Sequence, residues 1–199
     1  MYQAPRGEAR REAIVRATLA LIGERGPDAI THRAVAERAG VPLSATTYWF
    51  SSKEELLREA LVLAGREEVE RLERLVLDLA PRDLEPEEWA DALAAELAAD
   101  VDGRPTQHLA FYELVLDAAR HPGLRDEVAQ REQAFLRLAE IGLRAGGSPD
   151  PEGDAWIVVG AVSGLLLGQL ANPQQDFSEQ VLRPTLRRLF TRLKETVPA

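Results

Sequence analysis

The stretch "THRAVAERAGVPLSATTYWFSSKEELL", residues 31–57, decides the fold. Thr31 is a good N-cap for a short helix, and Gly40 follows "AVAERA" at the place where a left-handed residue ends one. Pro42 then suits the first position of a new helix, because its missing N–H has no hydrogen bond to lose there. Two short helices joined by a tight glycine turn, after a longer helix, predict a helix-turn-helix, whose second helix enters a major groove.

The rest of the chain is also typical of helix. Leu, Ala, Glu and Arg dominate, and no run shows the period of two that strands require. Clusters of Gly, Pro, Asp and Asn mark the helix ends. The predicted helices cover about residues 8–25, 31–38, 43–49, 52–79, 86–100, 105–120, 123–145, 153–171 and 177–195. The sequence therefore predicts an all-α fold of about nine helices.

Composition limits the classes of function. The 199 residues include no cysteine, which fits a reducing cytoplasm and leaves no thiol for catalysis or zinc binding. The N-terminus lacks the order of charge, apolar run and small residues that marks a signal peptide. No HExxH, P-loop or GxSxG motif accompanies the three histidines. We expect a cytoplasmic protein that is not an enzyme and has no metal or cofactor.

The charge is distributed unevenly along the chain. The net charge is −9, yet residues 1–53 hold eight Arg or Lys against five Asp or Glu, a net charge of +3. An acidic protein with a basic N-terminal quarter can bind a polyanion through that quarter. The asymmetry alone is weak, because a chance scatter of charges also produces it.

The opening stretch resembles the DNA-binding signature of the tetracycline-repressor (TetR) family of bacterial regulators. The matching parts are Thr31, "VAERAGV" at 35–41, an aromatic cluster that ends in Phe50, and "SKEELL" at 52–57. The resemblance implies a helix-turn-helix DNA-binding domain in residues 1–53 and a helical ligand-binding and dimerisation domain in residues 54–199.

That resemblance also implies a function. A TetR-like protein is a sequence-specific transcriptional regulator, here expected to be a homodimeric repressor that an unknown small-molecule effector releases from double-stranded operator DNA. No membrane partner is expected. The alternative is a helical interaction module that retains the N-terminal domain without specific DNA binding. A helical enzyme is a third class, which no motif supports.

The same resemblance implies that the third predicted helix reads bases and that the ends of the second and fourth helices hold phosphates. Thr47 stands where the family more often has tyrosine, and Tyr48 follows one residue later, about 100° around a helix. The base-facing candidates are Leu43, Ser44, Ala45 and Thr47. They offer no long bidentate side chain, so specificity would use small apolar contacts, N-terminal arms and DNA shape. The expected DNA-binding residues are Thr31, Arg33, Pro42, Leu43, Ser44, Ala45, Thr47, Tyr48, Trp49 and Lys53.

Several of these assignments have alternatives. Thr31 is either a phosphate contact or only a helix cap, and Lys53 is either a phosphate contact or a solvated surface residue. Phe50 is expected in the core, and Trp49 is open between core and DNA backbone. Arginines near the N-terminus either reach the minor groove or phosphates, or lie in a frayed and solvated terminus. They are Arg6, Arg10 and Arg11.

The C-terminal two-thirds would hold the effector. The resemblance implies a mostly apolar pocket between helices, and the alternative for each lining residue is simple core packing. The candidates are the aromatic residues and the histidine of that region. They are Trp89, His108, Phe111, Tyr112, Phe135 and Trp156.

The run "WIVVGAVSGLLLGQL", residues 156–170, is too short to span a bilayer comfortably and is expected to be a buried helix. Glycines recur every four residues along it, which indicates close approach of another helix. The resemblance implies a dimer interface of helices 8 and 9; the alternative is room for a ligand or helix within one subunit. The expected interface residues are Gly160, Gly164, Gly168, Leu182, Leu186 and Leu189, and Pro184 predicts a kink or a late start of helix 9.

Overall fold

A computed structural model of the chain describes the backbone of residues 6–195 and the side chains of residues 7–195. Within that part the prediction of an all-α fold is confirmed, with nine α-helices and no strand. The helices are α1 (Arg6–Arg25), α2 (His32–Ala39), α3 (Leu43–Trp49), α4 (Lys53–Leu79), α5 (Pro86–Gly103), α6 (Pro105–Arg120), α7 (Arg125–Ala145), α8 (Pro151–Ala171) and α9 (Arg183–Glu195). The last helix starts later than its predicted residue 177.

The late start of α9 follows from Pro184. Proline has no N–H to donate and is tolerated only in the first turn of a helix. A π-helical turn, Ser178–Leu182, precedes α9, and Pro184 is the second residue of the α-helix proper. The late start predicted as one outcome of Pro184 is therefore confirmed.

The helices pack into two compact units. The N-terminal unit contains the residues up to Glu67 together with Thr106–Gln130, so α6 and the start of α7 belong to it. A single apolar core runs through α1 to α4 and α6. Its fully or nearly fully buried side chains include Ile14, Ile22, Val35, Phe50, Leu56, Leu61, Phe111, Leu114 and Leu124.

One glycine allows two helices of this unit to meet at the backbone. A Cβ atom added to Gly23 of α1 would lie 2.1 Å from the carbonyl oxygen of Thr106, at the start of α6. Because the obstacle is main chain, a side chain at this position requires a helix to move. Gly23 therefore fixes where α6 can approach α1.

The C-terminal unit contains Glu68–Pro105 and the residues from Arg131 onward. Its core is formed largely by α5 against α9, with Leu182 and Leu186 fully buried beside Trp89. At the edge of this contact the Arg187 guanidinium binds both carboxylate oxygens of Asp91. Those hydrogen bonds lower the pKa of Asp91 below its ordinary value of 3.8.

The packing units do not follow the boundary expected at residues 53 and 54. The first 15 residues of α4, up to Glu67, pack with the N-terminal unit, and so does α6. The division into a DNA-binding domain, 1–53, and a ligand-binding and dimerisation domain, 54–199, concerns function and stays a prediction.

The expectation that the apolar run of α8 is buried is wrong. The helix has 21 residues, and by length and composition it could cross a membrane, yet only 22% of its most apolar window is buried. The exposed residues recur at spacings of three and four, so they form one continuous face. We call this the α8 face; it contains Trp156, Ile157, Gly160, Gly164, Leu167 and Gly168.

Candidate DNA-binding surface, ligand residues and dimer face

The turn between α2 and α3 has the geometry that its residues predict. Thr31 caps α2, since its hydroxyl oxygen accepts a hydrogen bond from the Ala34 N–H at 3.1 Å. Gly40 ends α2 in the left-handed conformation, with φ of 65°. Pro42 is the N-cap of α3 rather than its first residue, so the helix begins at Leu43. The three residues after α2 thus set the direction in which α3 leaves.

Two buried side chains hold α3 against the rest of the N-terminal unit. Thr46 is fully buried, and its hydroxyl donates to the Leu43 carbonyl at 2.8 Å, so burial leaves no polar atom unsatisfied. Phe50 is also buried, as predicted, and the Arg11 guanidinium lies 5.4 Å from its ring centroid. The opposite side of α3 is therefore fixed toward solvent.

We call that solvent side the reading face, after the base contacts predicted for it, and define it as Leu43, Ser44, Thr47 and Tyr48. All four side chains are exposed, and Tyr48 retains 79% of its accessible surface. The face carries an isobutyl group from leucine, the hydroxyl groups of serine and threonine, and the phenol of tyrosine. None of its four side chains is charged. Ala45, also expected to contact bases, is half-buried against the core and is turned away from this face.

Thr47 has a constrained hydroxyl. Its Oγ1 lies 3.3 Å from the Ser44 carbonyl and 3.5 Å from the Leu43 carbonyl, so its proton is directed at the helix backbone. Thr47 can therefore contact a base through its methyl group or through an oxygen lone pair. Its methyl group can make an apolar contact with the methyl group of thymine.

Trp49 lies between core and surface. It is half-buried and packs against the apolar core, while the Tyr48 ring meets it edge-on at 5.1 Å between centroids. A Cβ added to Gly7 would lie 3.4 Å from the Trp49 ring, so the start of α1 also covers it. The core alternative left open for Trp49 thus accounts for part of its surface.

Helix α4 begins with a capping arrangement that the sequence interpretation missed. The Ser52 hydroxyl accepts from the Glu55 N–H at 3.1 Å, and the Glu55 carboxylate accepts from the Ser51 N–H at 2.6 Å. The Glu55 carboxylate also accepts a hydrogen bond from the Ser51 hydroxyl. The hydrogen bonds from the Ser51 N–H, first, and from its hydroxyl lower the pKa of Glu55. The S-x-x-E spacing of residues 52–55 was the available signal. These contacts therefore fix the backbone at Lys53, which lies between Ser52 and Glu55.

The cations around α3 differ in how they are partnered. Lys53 Nζ lies 3.8 Å from an oxygen of Asp28, a long contact between exposed groups. Arg11, by contrast, pairs with Glu59 at 2.7 Å. Arg10 and Arg33 are exposed and form no ion pair with any residue that the structure describes. The side chain of Arg6 lies outside the described residues.

The six expected pocket residues do not form one cluster within either unit. His108, Phe111 and Tyr112 belong to the N-terminal unit, where the first two are buried and the Phe111 and Tyr112 rings meet at 5.5 Å. Trp89 and Phe135 belong to the C-terminal unit. There the Arg131 guanidinium lies 4.2 Å from the centroid of the Phe135 ring.

The two tryptophans among these residues differ in burial. Trp89 is buried, and its indole Nε1 has no hydrogen-bond partner among the described residues. Trp156 is 58% exposed on the α8 face, so the expectation that it lines an interior pocket is wrong for the single chain. An apolar helix residue was assigned to the interior because periodicity does not say which apolar face is covered.

The expected dimer residues separate into two groups. Gly160, Gly164 and Gly168 lie on the α8 face, and a Cβ added to any of them meets no atom within 4 Å. Leu182 and Leu186 are fully buried in the core of the C-terminal unit, so neither is available to a second chain. This corrects the assignment of these two leucines. Leu189 is half-buried against the same core.

An exposed short helix held by a helix-turn-helix, among described residues that are otherwise mostly helical, is the arrangement found in DNA-binding transcriptional regulators. Residues 14–60 match the model of the bacterial regulatory proteins of the tetR family, and residues 84–192 match the tetracyclin repressor-like C-terminal domain. The second match covers more than half of the chain. The chain belongs to the TetR family, whose members are transcriptional regulators and not enzymes.

Individual relatives agree with this assignment. The multidrug binding protein EbrR, in a crystal structure with imidazole, is 29% identical with a TM-score of 0.72, covering 96% of this chain and 97% of that one. The TetR-family member SCO1917 of Streptomyces coelicolor A3 is 28% identical with a TM-score of 0.71, covering 96% and 99%. The HTH-type transcriptional regulator PksA of Bacillus subtilis (strain 168) is 38% identical over 81 residues. That match covers 41% of this chain and only 38% of PksA.

Proposed function

We propose that this protein is a cytoplasmic homodimeric repressor that binds palindromic operator DNA through α3 and leaves it when a small molecule binds. The observation that carries the proposal is the uncharged reading face of α3, presented to solvent by the burial of Thr46 and Phe50. A helix that is anchored on one side and exposed on the other can enter a major groove without rearrangement.

Phosphate contacts would surround this face. The Thr31 hydroxyl uses its oxygen to cap α2, which leaves its proton for a phosphate oxygen. Lys53 can exchange its 3.8 Å contact with exposed Asp28 for a phosphate at little energetic cost, because exposed ion pairs contribute about 0–1 kcal/mol. Arg33, exposed on α2, adds a further charge.

The operator test begins with a selection of genomic fragments by the purified protein, followed by mobility shifts on the recovered duplex. We expect palindrome-specific binding with half-sites about 34–36 Å apart and an affinity that falls steeply with salt. Lys53→Ala should weaken binding evenly across sequences and lower the salt slope by about one. Failure of the ligand-free protein to bind any fragment specifically at low salt would favour the interaction-module alternative.

Thr47 allows a matched pair of variants. Since its hydroxyl is turned to the helix backbone, Thr47→Val should keep the preference for thymine at the contacted position, and Thr47→Ser should reduce it. Binding selections with both variants on a library randomised at each operator position measure this. The reverse order, with Val losing the preference and Ser keeping it, would show that the hydroxyl reads the base.

The effector site is proposed to include Trp89 in the C-terminal unit. A buried N–H without an acceptor is a donor that a bound molecule can use. EbrR has been crystallised with ethidium and with proflavin, so these planar cations are suitable first probes. We expect them to raise the melting temperature and to release the operator duplex. Trp89→Phe, which keeps an aromatic ring and removes the N–H, should weaken ligands that carry a hydrogen-bond acceptor and leave the apo melting temperature nearly unchanged.

The second copy is proposed to cover the α8 face. The face combines large exposed apolar side chains, Trp156 and Ile157, with glycines that leave open space beside the helix. Large side chains at the ends and glycines in the middle suit the crossing of an identical helix at short distance. Light scattering should give a mass of two chains for the wild type. Gly164→Leu should reduce it toward one.

A further inference from the structure

The segment that joins α6 to α7 is tied to the DNA-binding helices by one guanidinium. Arg58, on the second turn of α4, donates from Nη2 to the Gly123 carbonyl at 3.1 Å. Its Nε lies 3.0 Å from Oε1 of Glu127, on the first turn of α7. Gly123 and Glu127 are 65 and 69 residues away in sequence, yet all three residues belong to the N-terminal unit.

Glu127 depends on this contact. Its side chain is only 17% exposed, and its second oxygen, Oε2, is buried without a hydrogen-bond partner among the described residues. Loss of the Arg58 guanidinium would leave a partly buried carboxylate without an ion-pair partner among the described residues, an arrangement that folded proteins avoid. The pair therefore favours one position of the α6–α7 segment relative to α4.

Around the pair the packing is incomplete. A cavity of about 330 Å³ lies between the start of α4 and the α6–α7 segment. Its lining includes Lys53, Arg58, Asp117 and His121. The polar contacts of Arg58 thus restrain this end of α4 in addition to the buried Leu56 and Leu57 and the Ser52–Glu55 cap.

We propose that Arg58 and Glu127 form a positioning pair for DNA binding, which holds the α6–α7 segment against α4 and thereby fixes the first turn of α4, with Lys53, for the phosphate backbone. This inference rests on the proposed function. It differs from a direct role, because Arg58 acts through Glu127 and Gly123 and needs no contact with DNA.

The two roles predict opposite signs for one variant. If Arg58 only attracted phosphate, Arg58→Met would weaken binding and Glu127→Gln, which removes a negative charge, would strengthen it or leave it unchanged. If the pair positions α4, both single variants weaken binding, each by about fivefold to tenfold, and the double variant is no weaker than the poorer single one. Because positioning acts through the Lys53 contact, both single variants should lower the slope of log Kd against log salt by up to about one, whereas a direct phosphate contact of Arg58 lowers it in Arg58→Met alone.

The experiment measures Kd for the duplex recovered in the genomic selection, at four salt concentrations, with variants confirmed as folded by thermal melting. Arg82→Met and Asp78→Asn are the matched controls, because this exposed pair, formed between the last turn of α4 and the residues after it, changes the net charge equally. We expect the controls to stay within about twofold of wild type. Arg58→Lys, which keeps the charge but cannot span both acceptors, should behave like Arg58→Met.

A second readout separates positioning from a loss of stability. In a Lys53→Ala background, where the first turn of α4 has no cation to place, Arg58→Met should have less than half of its effect on log Kd. Full additivity with Lys53→Ala, or opposite signs for Arg58→Met and Glu127→Gln, would overturn the inference. If Arg58→Met does not fold, Glu127→Gln alone decides, since unchanged or tighter binding excludes positioning. Absence of specific binding by the wild type would instead reject the proposed function, and the inference with it.

Discussion

The glycine in the middle of the α8 face gives a test in which helix propensity and dimer contact act in opposite directions. A Cβ added to Gly164 meets no atom within 4 Å apart from the backbone of its own helix and its chain neighbours. In a single chain, Gly164→Ala should therefore stabilise α8 by about 1 kcal/mol, the usual difference between the two residues in a helix interior.

A second chain that crosses at Gly164 reverses the outcome for association. Each added methyl group would enter a close helix contact, where overpacking costs about 1–3 kcal/mol. A symmetric dimer carries two such groups, so association should weaken by about 2–6 kcal/mol, at least about thirtyfold in the dimer dissociation constant. The propensity gain does not offset this loss, because folded monomer and dimer share it.

Sedimentation equilibrium over a hundredfold range of protein concentration measures the dissociation constant, and urea unfolding at low concentration measures the stability of the chain. Gly103→Ala is the control, since Gly103 also has open space for a Cβ but lies at the end of α5. It should leave association unchanged. A Gly164→Ala protein that gains about 1 kcal/mol of stability and keeps the wild-type dissociation constant would refute a crossing at this glycine.

Three further outcomes follow from the packing of the two units. Gly23→Ala should lower the free energy of unfolding by about 1–3 kcal/mol or more in urea titrations, because its Cβ would lie 2.1 Å from the Thr106 carbonyl oxygen; an unchanged midpoint would mean that α6 can shift freely. Leu186→Ala should lower it by about 2–5 kcal/mol and leave the dimer dissociation constant of the folded protein unchanged, whereas an interface residue would show the reverse. Hydrogen bonds from Arg187 lower the pKa of Asp91, so its contribution to stability is present above the ordinary pKa of 3.8 and is lost as pH falls through the lower folded value. Urea midpoints between pH 5 and 3 should therefore fall less steeply in Asp91→Asn than in wild type.

The helix-turn-helix could be predicted because its signals are local. Thr31, Gly40 and Phe50 each act within a few residues, as a cap, a left-handed helix end and a core anchor, and each does so in the structure. Patterns of this kind depend on backbone chemistry, which neighbouring residues determine.

Prediction of the ligand and dimer residues required knowing which neighbouring helix covers each apolar face. The periodicity of apolar residues shows that a face exists but not what covers it. Leu182, in the π-helical turn before α9, and Leu186, in α9, are buried in the core with α5, and the exposed apolar surface belongs to α8. Both helices carry enough apolar residues to be assigned to either role. Arg58 and Glu127 had no sequence signal at all, since a pair 69 residues apart becomes visible only once α6 and α7 are placed.

The discontinuous N-terminal unit limits how this regulator can be recombined. Its core is completed by Phe111, Leu114 and Leu124, which the chain supplies only after about 40 residues of the other unit. A chimera that joins residues 1–67 to a foreign sensor domain would contain α3 but lack about a quarter of the buried side chains that support it. The apolar surface left uncovered by the missing α6 would favour aggregation. The first four helices therefore cannot be transferred alone. Giving this protein the operator specificity of a relative requires replacement of α6 together with α1 to α4, or redesign of α3 alone.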